Sequence, residues 1–573
     1  MMKQNCQVCK NEFEISNDDI LFYEKIKVPS PTLCPECRLA RKLAWRNERT
    51  LYKRQCDLCK KDIISMHKPN APFPVYCHDC WWSDKWSPND YGLEIDFSKN
   101  FFEQFKHLQK ITPRPSDYST ANVNSEYCNH SAHMKDSHWI FSSWFSENCG
   151  YGHTLMDSKD CWDCIFMRKN NFCFSSSDCI DCNQLFFSRQ CNSCIDSYFI
   201  YDCRNCQNCI FCFNLRNKNY CILNKPVSKE EFNKIKKEIL NSRESLEKSK
   251  EKFDKLIREE AINKFMTGER NDNVSGEFIS NSKNVHNSYY IDKGENEKYA
   301  VRGGIGQKDT MDAYGTHAGE LCYETNNIDF SSRCFFSING ENNINSSYLI
   351  DCDHLNNCFG CISVRKKEFC ILNKAYSKEQ YNELLPKIIQ LMSENPYKDA
   401  KGIIYKYGEF FPSEISPFCY NDTIAQEYFP LDETIAKKLG YLWNDNIEDK
   451  PYKPTISWKD LPNTIQEVDE SMLSQIILCE AWDTNKEDAQ NHKCTKAFRI
   501  IPDELIMYKK YGIPLPTKCP NTRYYELSKK RNGMKLYHRS CMKEGCINEF
   551  ETTYGPNRPE IIYCENCYQK EVY

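Results

Sequence analysis

The sequence predicts a multidomain, mainly β protein in which terminal zinc ribbons flank a duplicated, 15-residue-repeat β-solenoid with helical caps. Three observations carry this. CxxC pairs cluster at both ends of the chain, the stretch from Ser146 to Leu223 aligns with itself every 15 residues without a gap, and a related stretch returns 149 residues later. Self-similarity at a short fixed period marks a stack of units, each too small to bury its own apolar face.

Length and composition set the frame. With 573 residues, 40% of them hydrophobic, the chain has room for several domains with real cores. The opening MMKQNCQVCKNEF has no apolar signal core, and no run approaches the ~18 apolar residues of a membrane span. The expectation is a cytoplasmic protein with no membrane partner. In that setting 36 cysteines, many in CxxC pairs, point to metal and reduced thiols rather than disulfides. The net charge of −4 hides an asymmetry: residues 1–80 carry +4 and residues 494–573 carry +5, so a polyanion would be met by the ends.

Tandem zinc ribbons are expected over residues 1–86. Cys6, Cys9, Cys34 and Cys37 form one set of knuckles, and Cys56, Cys59, Cys77 and Cys80 form a second. Each CxxC puts two thiolates on one tight turn. Two such turns close a tetrahedral site with no open position, which makes the role structural rather than catalytic. Between the sites, RLARKLAWRNERTLYKR sets Arg38, Arg41, Lys42, Arg46, Arg49 and Lys53 at helical spacing. Such a basic face is either a solvated helix surface or a candidate contact for nucleic-acid phosphate. Trp81, Trp82 and Trp86 are expected to pack the second ribbon.

A helical linker is expected over residues 87–115, with FSKNFFEQFKHL as its helix and Pro113 and Pro115 ending it. The first solenoid segment is placed at residues 116–227. Written 15 residues to a line, one column is Cys149, Cys164, Cys179, Cys194 and Cys209, and the next holds Ile165, Ile180, Ile195 and Ile210. In-register stacking would put the five cysteines in one buried ladder, about 4.8 Å apart. There they would act as small apolar fillers, for which serine is a worse replacement than alanine.

Residues 228–268 read as a charged helical insertion opened by Ser228 and Glu231 and broken near Asn241 and Ser242. The second solenoid segment is placed at residues 274–376, where Cys352, Cys358 and Cys361 match Cys203, Cys209 and Cys212. A helix over residues 377–400 opens with Ser377 and Gln380. Both helical segments are expected to cover solenoid ends, hiding unpaired strand edges. Residues 401–490 show no period and read as an irregular connector with one helix near Val468 to Trp482.

The C-terminal residues 491–573 repeat the N-terminal ribbons at a shift of 485 residues, which lays Cys9 on Cys494, Cys34 on Cys519 and Arg38 on Arg523. With a two-residue insertion, Cys541, Cys546, Cys564 and Cys567 reproduce the second site. The first is degenerate, because Asn491 and Thr522 stand where two cysteines are expected. Cys494 and Cys519 then need partners that Cys479 and His492 can supply, or the metal has been lost. Zn2+ is therefore expected at three sites, with a fourth left open.

CQVCKNEFEISNDDILFYEK together with LCPECRLARK resembles the small bacterial domain known as the probable zinc-ribbon domain. The wider layout, from CPECRLARKLAWRNERTLYKRQCDLCKK to IIYCENCYQKEVY, is similar to uncharacterised zinc-ribbon proteins of small-genome, candidate-phylum bacteria. The resemblance implies zinc binding and no established activity. Thr522 departs from its CPxC pattern.

No HExxH, GxSxG or GxxxxGK[ST] motif is present, and no small-molecule substrate is indicated. Two readings follow. In the first, the chain is a non-enzymatic scaffold that binds a protein or nucleic-acid partner through its solenoid face or its basic ends. In the second, it is a thiol- or metal-dependent enzyme whose cysteine-rich solenoid holds an iron–sulfur or redox centre.

Overall fold

The computed structural model describes residues 2–445 and 453–573, so residues 446–452 of the expected connector lie outside the described residues. It is a mixed α/β structure in which parallel strands dominate. Antiparallel hairpins form the terminal knuckles: Met2–Asn5 on Glu12–Ile15, Tyr52–Gln55 on Asp62–Ser65, and Tyr537–Ser540 on Glu549–Thr552.

Between the ends the chain repeatedly returns beside itself in parallel. Phe141 pairs with His153, His153 with Ile165, and Ile165 with Ser177. In a separate five-stranded sheet Asn183 pairs with Ile195, Ile195 with Gln207, and Gln207 with Asn219. A second run pairs Met311 with Tyr323, Tyr323 with Phe335, and Phe335 with Ser347. The separation across these contacts is 12 residues, which corrects the expected period of 15.

The misleading period has a physical origin in a shorter rhythm. Asn148, Tyr151, Thr154, Asp157 and Asp160 all have left-handed backbone, with φ between 50° and 57°. The residue after each one (Cys149, Gly152, Leu155, Ser158 and Cys161) is buried. Every third side chain thus points inward, and both 12 and 15 are multiples of three. Only hydrogen bonding between strands selects 12. Cys149, Cys164, Cys179, Cys194 and Cys209 are all fully buried, at 0% exposure. They are not one ladder, however: Cys209 stands beside Cys221 and Cys179 beside Met167. A step of 15 exceeds the 12-residue pairing distance by three and so lands beside a different neighbour.

The left-handed corners favour Asn and Asp, whose short polar side chains tolerate that conformation. Their amides also bond the equivalent residue one turn later, as in Asn205 to Asn217 (2.7 Å) and Asn284 to Asn296 (3.1 Å). Inside, serine and cysteine solve the same problem. The Ser143 hydroxyl donates to the Phe141 carbonyl at 2.8 Å and accepts from the Leu155 amide at 2.9 Å. The Cys149 thiol donates to the Glu147 carbonyl at 3.3 Å, and the Cys182 sulfur accepts from the Cys194 amide at 3.4 Å.

Helices flank this stack. Ser228 caps Lys229–Leu240, which is followed by Arg243–Glu259, and Ser377 with Gln380 forms a capping box on Lys378–Glu394. The helix Arg243–Glu259 lies across the flank of the strands: Phe253 meets Phe199 at 5.6 Å, within a stacked row of Phe187, Phe199 and Phe211. The end strands are covered by the chain's own antiparallel turns, Cys221 on Pro226 and Cys370 on Ala375.

The linker helix is Phe101–Ile111. The single helix expected near Val468 to Trp482 is replaced by a 3₁₀ turn Glu470–Ser474, a strand Ile477–Leu478 and a short helix Glu480–Thr484. Pairing of Ile477 with Phe498 draws that segment into an extended form. Among the described residues no helix is long and apolar enough to cross a membrane.

Candidate metal centres

Three groups of four cysteines have all their sulfurs within 4.8 Å of one another: Cys6/Cys9/Cys34/Cys37, Cys56/Cys59/Cys77/Cys80 and Cys541/Cys546/Cys564/Cys567. The sulfur pairs Cys9–Cys34 and Cys59–Cys77 are 3.7 Å apart, and Cys546–Cys564 are 3.9 Å apart. These separations suit the edges of a tetrahedron with ~2.3 Å metal–sulfur bonds.

Local sequence explains the geometry. After the first CxxC, Lys10 and Lys60 take left-handed backbone (φ 65° each) and their amides return to the Cys6 and Cys56 carbonyls, closing the knuckle. The third ligand opens a helix. Cys34, Cys77 and Cys564 are the N-caps of Pro35–Leu43, His78–Trp81 and Glu565–Val572. A helix N-terminus offers free amides and a positive dipole end, which favour a thiolate. In the CPEC sequence Pro35 occupies the first helical position, where its missing N–H costs nothing.

A fourth group consists of Cys479, Cys494 and Cys519. His492, the other candidate, stays outside that group. Its ring stacks on Tyr525 with centroids 5.7 Å apart, and its Nδ1 lies 3.3 Å from the Asp488 carboxylate.

The basic run is not an exposed helix face: its helix ends at Leu43, Arg46 and Arg49 follow it, and Lys53 lies in the strand Tyr52–Gln55. Arg38, Arg41, Lys42 and Arg46 are all buried, at 2% exposure or less. Arg38 pairs with Asp312 at 2.9 Å, and Arg41 with Glu324 at 2.8 Å and Glu409 at 2.9 Å. Lys42 lies 3.6 Å from Asp312, and Arg46 pairs with Glu48 at 2.5 Å. Arg49 is half-buried over the Tyr524 ring at 3.5 Å, which leaves Lys53 as the exposed member of the set. The expected phosphate contact is therefore corrected for Arg38, Arg41, Lys42 and Arg46: the first three spend their charge on carboxylates of the parallel strands and the connector, and Arg46 spends its charge on the neighbouring Glu48. Sequence reasoning missed these acids, although Asp312 occupies a left-handed corner (φ 55°) in the same three-residue rhythm.

Glu48 is a second buried hub. It meets His153 at 2.6 Å and Arg302 at 3.3 Å as well as Arg46, so it joins the N-terminal segment to both runs of strands. Burial, with Arg302 nearby, pushes the His153 imidazole down to about 3.

The interior cysteines differ from the clusters. Burial pushes the Cys179 thiol up to about 12 and the Cys149 thiol well above its ordinary value. Both thiols donate to carbonyls, Cys179 to Ser177 at 3.1 Å and Cys149 to Glu147 at 3.3 Å.

No protein-family model matches this sequence, and no curated protein does. Among solved structures the chain is similar to one described as "putative acetyltransferase from Desulfovibrio desulfuricans G20", at 8% identity over 48% of this chain and 74% of that one. The TM-score is 0.10, too low to bear on fold or activity.

Proposed function

We propose that the chain is a zinc-binding, non-enzymatic scaffold of the reducing cytoplasm, in which metal-folded ribbons clamp two β-solenoid segments into one frame that presents a lateral face to a protein partner. One observation carries the reading. The helix Pro35–Leu43 begins at the ligands Cys34 and Cys37 and continues directly into Arg38, Arg41 and Lys42, which lock onto Asp312, Glu324 and Glu409. The metal would fold the helix, and the helix makes the joint. Zinc fits the closed four-thiolate sets because it accepts tetrahedral sulfur ligation and needs no open position for a structural role.

A catalytic reading lacks comparable support. The four-cysteine groups leave no place for a water ligand, and burial pushes interior thiols such as Cys149 and Cys179 up, away from the reactive thiolate. A protein partner is favoured over nucleic acid because the basic helix has already spent its charge inside the fold. The reading is tested by elemental analysis of the full chain purified without oxygen, followed by chelation and thermal melting. The expected result is at least three zinc per chain and a marked fall in melting temperature on chelation. Iron with acid-labile sulfide in place of zinc would overturn it.

A further inference from the structure

The group Cys479, Cys494 and Cys519 reproduces, contact by contact, the intact centres. In two of those, the amide of the third ligand donates to the sulfur of the first: Cys77 to Cys56 and Cys564 to Cys541, each at 3.3 Å. Here the Cys519 amide donates to the Cys479 sulfur at 3.2 Å. The second and third sulfurs, Cys494 and Cys519, are 3.6 Å apart, against 3.7 Å for Cys9–Cys34. Cys519 is the N-cap of Pro520–Ser528 with proline at the first helical position, as Cys34 is for its helix. Cys479 therefore takes the place of the missing first ligand, although it comes from the connector and lies outside the repeat.

The fourth position is filled by Thr522, in the third helical position that Cys37 holds in its own helix. Its hydroxyl lies 3.2 Å from the Cys519 sulfur and 3.9 Å from the Cys479 sulfur. All four side chains are buried, Cys494 being the most accessible at 4%.

We propose that these residues form a fourth metal site, in which three thiolates and the Thr522 hydroxyl take a thiophilic divalent ion such as zinc, more weakly than the three intact centres. The proposal rests on the zinc reading above. A neutral hydroxyl donates less to a soft ion than a thiolate does, and replacing a ligand should weaken binding by at least the ~10–100-fold seen when only an outer-shell partner is lost. The site has its own structural consequence. Cys479 caps the connector helix Glu480–Thr484, so the ion would staple the connector to the C-terminal ribbon.

The test is zinc release from the full chain to a chromophoric chelator, for the wild type and for Thr522→Cys, Thr522→Val and Cys494→Ser. The wild type is expected to release one equivalent in a phase at least about tenfold faster than the other three. Thr522→Cys should merge that equivalent with the slow phase, Thr522→Val should accelerate it, and Cys494→Ser should abolish it alone. Should Cys494→Ser not fold, the two Thr522 variants still decide the matter. A wild type holding three equivalents, released in one phase that neither Thr522 variant alters, would overturn the fourth site. A chain that keeps the fast equivalent but lacks the slow three would support the fourth site while refuting the reading it extends.

Discussion

Arg38 and Asp312 form a buried ion pair at 2.9 Å, and the same contact is made a second time. Shifting Arg38 by 485 residues gives Arg523, shifting Asp312 back by 149 gives Asp163, and these two also lie 2.9 Å apart. The aromatic neighbours follow suit: Tyr23 on Tyr323 at 5.4 Å corresponds to Tyr508 on Phe174 at 5.8 Å. Through these residues the N-terminal cysteine-cluster segment packs on the second run of strands, and the C-terminal one on the first.

If the two joints are equivalent, Arg38→Met and Arg523→Met should cost similar stability. Removing one partner strands a buried carboxylate, a loss of about 3–5 kcal/mol. Lys42 near Asp312 places Arg38→Met toward the lower end. The two joints share none of these residues, so the double variant should show the sum of the two losses, read as denaturation midpoints. A loss in only one of the two would show that the joints differ in weight.

The same burial separates positions that look alike in sequence. Arg41→Glu places a third carboxylate against Glu324 and Glu409, and should abolish or severely impair folding. Lys53→Glu, at an exposed position, should leave the melting temperature within about 1 °C, a surface change of a few tenths of a kcal/mol. Circular dichroism melts of the two variants check this, and a well-folded Arg41→Glu would contradict the buried joint.

The metal clusters were legible because their chemistry is local: two residues between cysteines, or four between Cys541 and Cys546, set a knuckle whatever the rest of the chain does. The period of the strands was less legible. Burial recurs every third residue, and sequence periodicity alone cannot tell 12 from 15 when both preserve that phase. The Asn and Asp corners, such as Asn205 and Asn217, carried the missing signal, because their side chains bond across one turn. The fate of the basic helix was not legible at all, since Asp312 and Glu324 lie far away in the chain and only the docking brings them to Arg38 and Arg41. Cys479 was found as a candidate ligand, but its role as the replacement first ligand depends on the Cys519 amide reaching its sulfur.

A third prediction concerns pH. Glu277 accepts from the Thr267 amide at 2.8 Å and the Thr553 hydroxyl at 3.0 Å, at the joint between the second run and the C-terminal cysteine-cluster segment. Burial raises its carboxyl from 4.5 to about 7. A folded value above the unfolded one means that the native state holds the proton more tightly. The associated stability is complete below pH 4.5 and is lost as the pH rises through 7, by about 3 kcal/mol. Glu277→Gln should therefore melt higher than the wild type at pH 8 and equally at pH 4.5. A difference that does not change with pH would show that the carboxyl titrates normally.

The last prediction reverses an expectation drawn from burial alone. Cys179 is fully buried, and as a plain apolar filler it should tolerate alanine better than serine. The structure gives serine a place to bond. The Cys179 thiol already donates to the Ser177 carbonyl at 3.1 Å, and Ser143 and Ser188, which also point inward, donate to the carbonyl two residues back at 2.8 Å and accept an amide one turn later. A serine at 179 can make the first of these bonds, so its hydroxyl would not be stranded. Alanine removes the sulfur, leaves a small void and strips a donor from the Ser177 carbonyl, at a cost of about 1–2 kcal/mol. Cys179→Ser should accordingly melt at or above Cys179→Ala, and neither variant should lose metal, because Cys179 belongs to none of the sulfur groups that can hold an ion. Loss of a zinc equivalent in both variants would make the interior cysteines ligands, and a serine variant several degrees below alanine would restore the apolar reading.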